Sequence, residues 1–165
     1  MNSDLKWKKS LFSNTYRIYS NGRLIGKLEE RRFSNSADGI INGEEYIFKT
    51  NGLFTWRHTE IINARNNKVI GKITYSEWRT KATLTAPDKK ANWKYDNIWN
   101  TRWSISSSTG IKIKYAGSTT SGKIDANADD SLLLLSGLYV TNYYRQTSIA
   151  IMAAIILPIW ASLQH

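Results

Sequence analysis

Along the first 125 residues, apolar and polar positions alternate in short runs. Ile111-Lys112-Ile113-Lys114-Tyr115 and Trp93-Lys94-Tyr95 put rings and aliphatic groups on one side and lysines on the other. That is the period of a half-buried β-strand. Gly and Asn interrupt the runs every eight to twelve residues or so, the punctuation of a barrel or sandwich. Ser20-Asn21-Gly22-Arg23 supplies the two left-handed residues that a type I′ hairpin turn requires. Arg65-Asn66-Asn67-Lys68 reads as its counterpart, and Ser108-Thr109-Gly110 and Thr120-Ser121-Gly122 as further turns.

Two of these hairpins repeat. Asn21-Gly22-Arg23-Leu24-Ile25-Gly26-Lys27-Leu28 matches Asn66-Asn67-Lys68-Val69-Ile70-Gly71-Lys72-Ile73. A glycine inside such a return strand marks a bulge or a close backbone approach. The pattern predicts strands over about 5–125, within a single domain covering 1–165.

After Asp130 the text changes, and the one remaining charged residue is Arg145. Asp129-Asp130-Ser131 offers an N-cap. Leu132 to Tyr144 is apolar on nearly every face, which predicts a helix over about 131–144, buried in protein because it is too short to span a bilayer. A second apolar run, Ser148 to Leu163, predicts a further helix, with Pro158 bending or weakening it near its end. This second helix is either core, packed on the surface of the domain, or a short membrane anchor. As an anchor it would keep Arg145 and the basic domain on the cytoplasmic side, with Trp160 at an interface.

Composition sharpens this. Seven Trp and nine Tyr with only two Pro suit strands that pack large rings on a pleated face. The absence of Cys excludes disulfides, thiolate metal sites and cysteine nucleophiles. No apolar run follows Met1-Asn2-Ser3-Asp4-Leu5-Lys6, so no secretory signal is read and a cytoplasmic location is expected. The formal net charge of +10 favours anionic partners, either phospholipid headgroups or nucleic acid.

Catalytic chemistry finds little support. The two histidines are His58, in strand-like Trp56-Arg57-His58-Thr59-Glu60, and His165. Neither a histidine metal site nor a triad can be assembled from them. Glu29-Glu30 and Glu44-Glu45 are adjacent on strands and so face opposite sides. Asp125 to Asp130 lacks the glycine and the final glutamate of a calcium loop. No catalytic residue, metal or cofactor is expected. For anion or lipid binding the candidates are Lys6, Trp7, Lys8 and Lys9, where a ring sits among charges, and the pairs Arg79/Lys81 and Lys112/Lys114, each spaced to share one strand face. The first group reads equally as a solvated N-terminal arm.

The order of these features, with Gly-Lys hairpin repeats, a basic outer face and then an Asp-capped apolar helix, resembles the tubby-like superfamily. Within it the pattern is most similar to LURP-one-related proteins and phospholipid scramblases. The resemblance runs from Tyr16 to Tyr144 and is carried by the two hairpin copies and by Asp129-Asp130-Ser131-Leu132-Leu133-Leu134-Leu135. It implies a mostly β fold, a closed antiparallel barrel of about twelve strands around a hydrophobic C-terminal helix. It also implies phospholipid or phosphoinositide binding. The expected role is a non-catalytic module on an anionic membrane surface, the alternative being a cytosolic module that binds nucleic acid or protein.

Overall fold

The computed structural model describes residues 4–32, 34, 36–52 and 57–163. Trp56 and His165, singled out in the sequence, lie outside the described residues. Twelve strands, β1 (Leu5–Lys9), β2 (Thr15–Ser20), β3 (Arg23–Glu30), β4 (Ser36–Ile41), β5 (Glu44–Asn51), β6 (His58–Asn63), β7 (Lys68–Tyr75), β8 (Lys81–Ala86), β9 (Lys89–Tyr95), β10 (Arg102–Ser107), β11 (Lys112–Gly117) and β12 (Ser121–Ala126), precede one helix, α1 (Ser131–Leu163). Each strand pairs antiparallel with its sequence neighbours, and β1 pairs with β12 to close the barrel. Closure removes the unpaired edges that a sheet of this size would otherwise present.

The predicted alternation sorts side chains in and out. On β11, Ile113 and Tyr115 are buried while Lys112 and Lys114 face out. Asn21-Gly22 forms the expected tight turn, with both residues at positive φ, and Asn42-Gly43 forms another between β4 and β5. The repeated hairpins are β2–β3 and β6–β7, four strands apart. In each, the register slips by one residue, leaving Ile25 and Ile70 as the extra residues of bulges just before Gly26 and Gly71. The Ile-Gly pair shared by the two copies of the repeat is therefore the bulge.

The barrel interior is filled by the first half of α1. Leu133, Leu135 and Leu138 are fully buried, as are Trp7, Phe48, Trp93 and Trp103 on the wall. Burial of each large side chain contributes about 1.5–3 kcal/mol, and a buried donor without a partner costs about 1–3 kcal/mol. The many large side chains buried together offset that cost for the Trp7 and Trp103 indole N–H groups, which sit in the core without a partner. Where the helix packs against the Tyr115 side chain, residue 137 is glycine, with no room for a Cβ. The Tyr115 hydroxyl donates to the Leu134 carbonyl at 2.9 Å, and the Trp93 indole N–H donates to the Gly137 carbonyl at 3.2 Å.

Asp130 caps the helix as expected, its carboxylate accepting from the Leu133 N–H at 2.9 Å. The same carboxylate pairs with Lys89 of β9 at 2.6 Å, largely out of solvent. The helix differs from expectation in one respect: the two apolar runs are one continuous helix of 33 residues. Thr147 and Ser148 do not break it, because their hydroxyls bond back to the Tyr143 and Tyr144 carbonyls within the helix. Pro158 is accommodated inside it, without ending it.

Candidate functional site

The continuous helix divides at the barrel mouth. From Leu132 to Tyr144 it is almost wholly buried, and from Ser148 to Leu163 every residue is exposed. Among the described residues, this helix is long and apolar enough to cross a membrane, and its most apolar window is the part outside the barrel.

A polar clamp marks the division. Asn142 is buried and uses both ends of its amide: its Nδ2 donates to Glu30 at the end of β3, and its Oδ1 accepts from Lys9 Nζ and from the Tyr16 hydroxyl, each at 3.1 Å. One turn on, Gln146 also donates to Glu30. Arg145 lays its guanidinium over the Trp103 ring at 5.2 Å and reaches the Ser118 and Asn100 carbonyls. On the other side Tyr75 stacks on Tyr143 at 4.1 Å, and Trp93 lies 5.4 Å from Tyr144. A cavity of about 260 Å³ remains beside the helix here, lined by Glu30, Arg57, Tyr139, Tyr143 and Gln146 among others.

Burial pushes the Glu30 carboxyl above its ordinary pKa, with the Gln146 bond, the Lys9 charge and the Asn142 bond pulling it partly back. Burial likewise pushes the Lys9 ammonium down, against the attraction of Glu30. A carboxyl whose folded pKa exceeds its unfolded one stabilises the fold fully below the unfolded pKa and loses that contribution as pH rises through the folded pKa. The stability difference between wild type and Glu30→Gln is therefore expected to move against wild type as pH rises through that window. Urea unfolding midpoints of the two proteins, compared from acid to neutral pH, measure it.

The candidate anion-binding residues are dispersed by this architecture. Trp7 is fully buried, against Tyr16 and Trp103. It belongs to the core and cannot meet a headgroup, because Leu5, Trp7 and Lys9 are the inward set of β1. The segment is also no loose arm: β1 is paired on both sides. Lys9 is part of the clamp. Lys6 faces out and pairs with Asp4, and Lys8 faces out beside the Tyr19 ring. Arg79 lies in the β7–β8 turn at φ 55°, so it does not share a strand face with Lys81. Lys112 and Lys114 do share the outer face of β11. Through the β8–β9 and β9–β10–β11 registers, Lys81, Lys94 and Lys114 fall on one row across the outer wall, interrupted by Ser104. The sequence reading missed Lys94 in this row, and also the clamp. Finding either needed the strand register.

The twelve-strand closed barrel with a C-terminal helix is consistent with a tubby-like fold. Compared with family models, curated proteins and solved structures, the chain matches none of them.

Proposed function

We propose that this protein is a non-catalytic, tubby-like barrel that associates with phospholipid membranes through the outer half of α1, on the cytoplasmic face. The supporting observation is that one helix serves as core for half its length and then leaves the barrel as an uncharged, fully exposed apolar rod. Ser148–Leu163 rises about 24 Å at 1.5 Å per residue. An exposed apolar surface of that extent far exceeds what a monomer leaves in water, and a bilayer with about 30 Å of hydrocarbon is thick enough to take the whole run. The clamp at Glu30, Asn142 and Gln146 fits this role, since it places a polar layer, with Asn142 buried, where the helix would pass from protein to lipid. Arg145 and the basic wall fit the cytoplasmic side.

The lysine row on β8, β9 and β11 favours a second reading, in which the outer wall binds a polyanion. One experiment separates the two: sedimentation of the full chain with neutral and anionic liposomes at low and high salt. Binding that survives salt and needs no anionic lipid supports the helix. Binding that requires anionic lipid and disappears in salt assigns the contact to the lysines. Absence of binding to either liposome overturns the membrane reading.

A further inference from the structure

The two ends of the barrel differ sharply. At the end where α1 enters, the connections span residues 21–22, 42–43, 64–67, 87–88, 108–111 and 127–130. Their residues are those that turns prefer: Asn-Gly twice, Asn66-Asn67, Pro87-Asp88 and Thr109-Gly110. Their charges are Asp88, Asp129 and Asp130 against Arg65.

At the end where α1 leaves, three connections are turns of another kind. Ser13 N–H bonds to the Ser10 carbonyl at 3.0 Å, Arg79 to Ser76 at 3.1 Å, and Asn100 to Asn97 at 3.3 Å. The central residues of these turns are Leu11-Phe12, Glu77-Trp78 and Ile98-Trp99. The apolar ones stand almost bare: Leu11 is 73% exposed, Phe12 98%, Trp78 86%, Ile98 87% and Trp99 78%. Outside α1, the other exposed large hydrophobic residues among those described are Leu24 and Val69, single aliphatics on the wall. Turn centres favour Gly, Asn, Asp, Pro and Ser, and each of these apolar side chains forgoes the gain that burial would bring. The charges of the exit connections also run the other way, with Arg31, Arg32, Arg57 and Arg79 against Glu77 and Asp96.

We propose that these turns form a collar that seats the barrel mouth directly in the headgroup layer of the bilayer. The inference rests on the reading that α1 enters lipid and adds the orientation and depth of the barrel. Its geometry follows from the continuity of α1. No spacer separates Tyr144, which is buried, from Ile149, which is exposed, so a membrane that holds Ile149 onward lies within about one to two helical turns of the mouth. The collar tips then meet the interface, where Trp is most at home and Arg can reach phosphate. Arg145 links the helix to this end of the barrel, its guanidinium donating to the Ser118 and Asn100 carbonyls of two exit connections at 3.4 and 3.5 Å.

The chain lacks cysteine, so single-cysteine full-length variants carrying an environment-sensitive fluorophore test the proposal on phosphatidylcholine vesicles containing a minority of phosphatidylserine. Labels go at Trp78→Cys and Ile98→Cys in the collar, at Thr109→Cys at the opposite end, and at Ile155→Cys in the helix. Collar labels are expected to brighten severalfold on vesicles and to be quenched best by headgroup-attached quenchers, while the Thr109 label stays in water. If the collar labels behave like the Thr109 label, the proposal is overturned, whatever the helix label does. The Ile155 label reports separately on the anchor: its entry into lipid without the collar would leave the anchor standing and the collar refuted. Trp78→Ser/Ile98→Ser/Trp99→Ser, with α1 intact, is expected to weaken vesicle binding at least about tenfold, and unchanged binding would count against the collar.

Discussion

Replacing Met152 and Ile156 with arginine is expected to release the protein from membranes and leave the barrel folded. The two positions are four apart on α1 and share a face. Both are exposed and lie beyond the barrel mouth, so the fold has nothing to lose there. An arginine near the middle of a membrane helix costs about 2.5–3.5 kcal/mol even when its side chain can bend toward the surface. Two of them are expected to weaken vesicle binding by at least about 10³-fold. Their effect on the unfolding free energy should stay within about 0.5 kcal/mol, as for ordinary surface changes. Flotation with vesicles reads the first quantity and chemical denaturation the second. Retention of binding by the double variant would mean that the helix is not what holds the protein on lipid. Loss of folding would mean that the outer half of α1 is packed in some way that its exposure does not show.

The second large effect is expected at Gly137. A Cβ placed there would sit 2.3 Å from the Tyr115 hydroxyl and 2.5 Å from the adjoining ring carbon. Tyr115 cannot step aside, because its ring is fully buried and stacked on Trp103 at 5.4 Å with nearly parallel planes. Alanine is the better helix former by about 1 kcal/mol. Overpacking a rigid core costs about 1–3 kcal/mol and sometimes more, and the clash here lies at the upper end of that range. Gly137→Ala is therefore expected to destabilise the barrel by about 2 kcal/mol net, with a melting temperature lower by about 4–8 °C for a chain of this size. In Gly137→Ala/Tyr115→Phe the loss should be smaller than the sum of the single losses, since removing the hydroxyl removes the nearest clashing atom. Wild-type stability for Gly137→Ala would show that the helix lies farther from β11 than described here.

How far the sequence could be read depended on how local each feature was. Alternation within β9 and β11 and the Asn21-Gly22 turn are properties of neighbouring residues, and they led to the strands. The Ile-Gly repeat carried its bulge in its own text. The N-cap at Asp130 was equally local. Trp7 shows where local reading stopped. Its flanking lysines drew attention to charge, yet the alternation of Leu5, Trp7 and Lys9 already placed the ring inward. The break expected between the two apolar runs falls at Arg145, Gln146 and Thr147, which are polar. In the structure those residues are where the helix crosses from barrel to exterior, and polar side chains there need no interruption of the backbone. The clamp at Glu30, Asn142 and Lys9 joins residues more than 100 positions apart, so periodicity could not reveal it. The collar had a readable signal, namely apolar pairs at positions where turn residues belong. It acquires meaning only once alternate hairpins are known to open at the same end.

Closure of the wall by β1 and β12 has a consequence for how the protein is made. The strand that completes the barrel is the last of its twelve to be made, and it pairs with the first across more than 110 residues of chain. Such a contact carries a high loop-closure cost and forms late. The helix that fills the interior follows β12 in the chain, so until it exists the eleven earlier hairpin contacts have no core to enclose. Assembly is therefore held open until α1 has been made, with aromatic-rich strands exposed meanwhile to aggregation. The first half of α1 ends that vulnerability by burying the wall, and it does so just as the second half becomes available to lipid. On the membrane reading proposed above, folding and delivery to lipid become a single event along one helix.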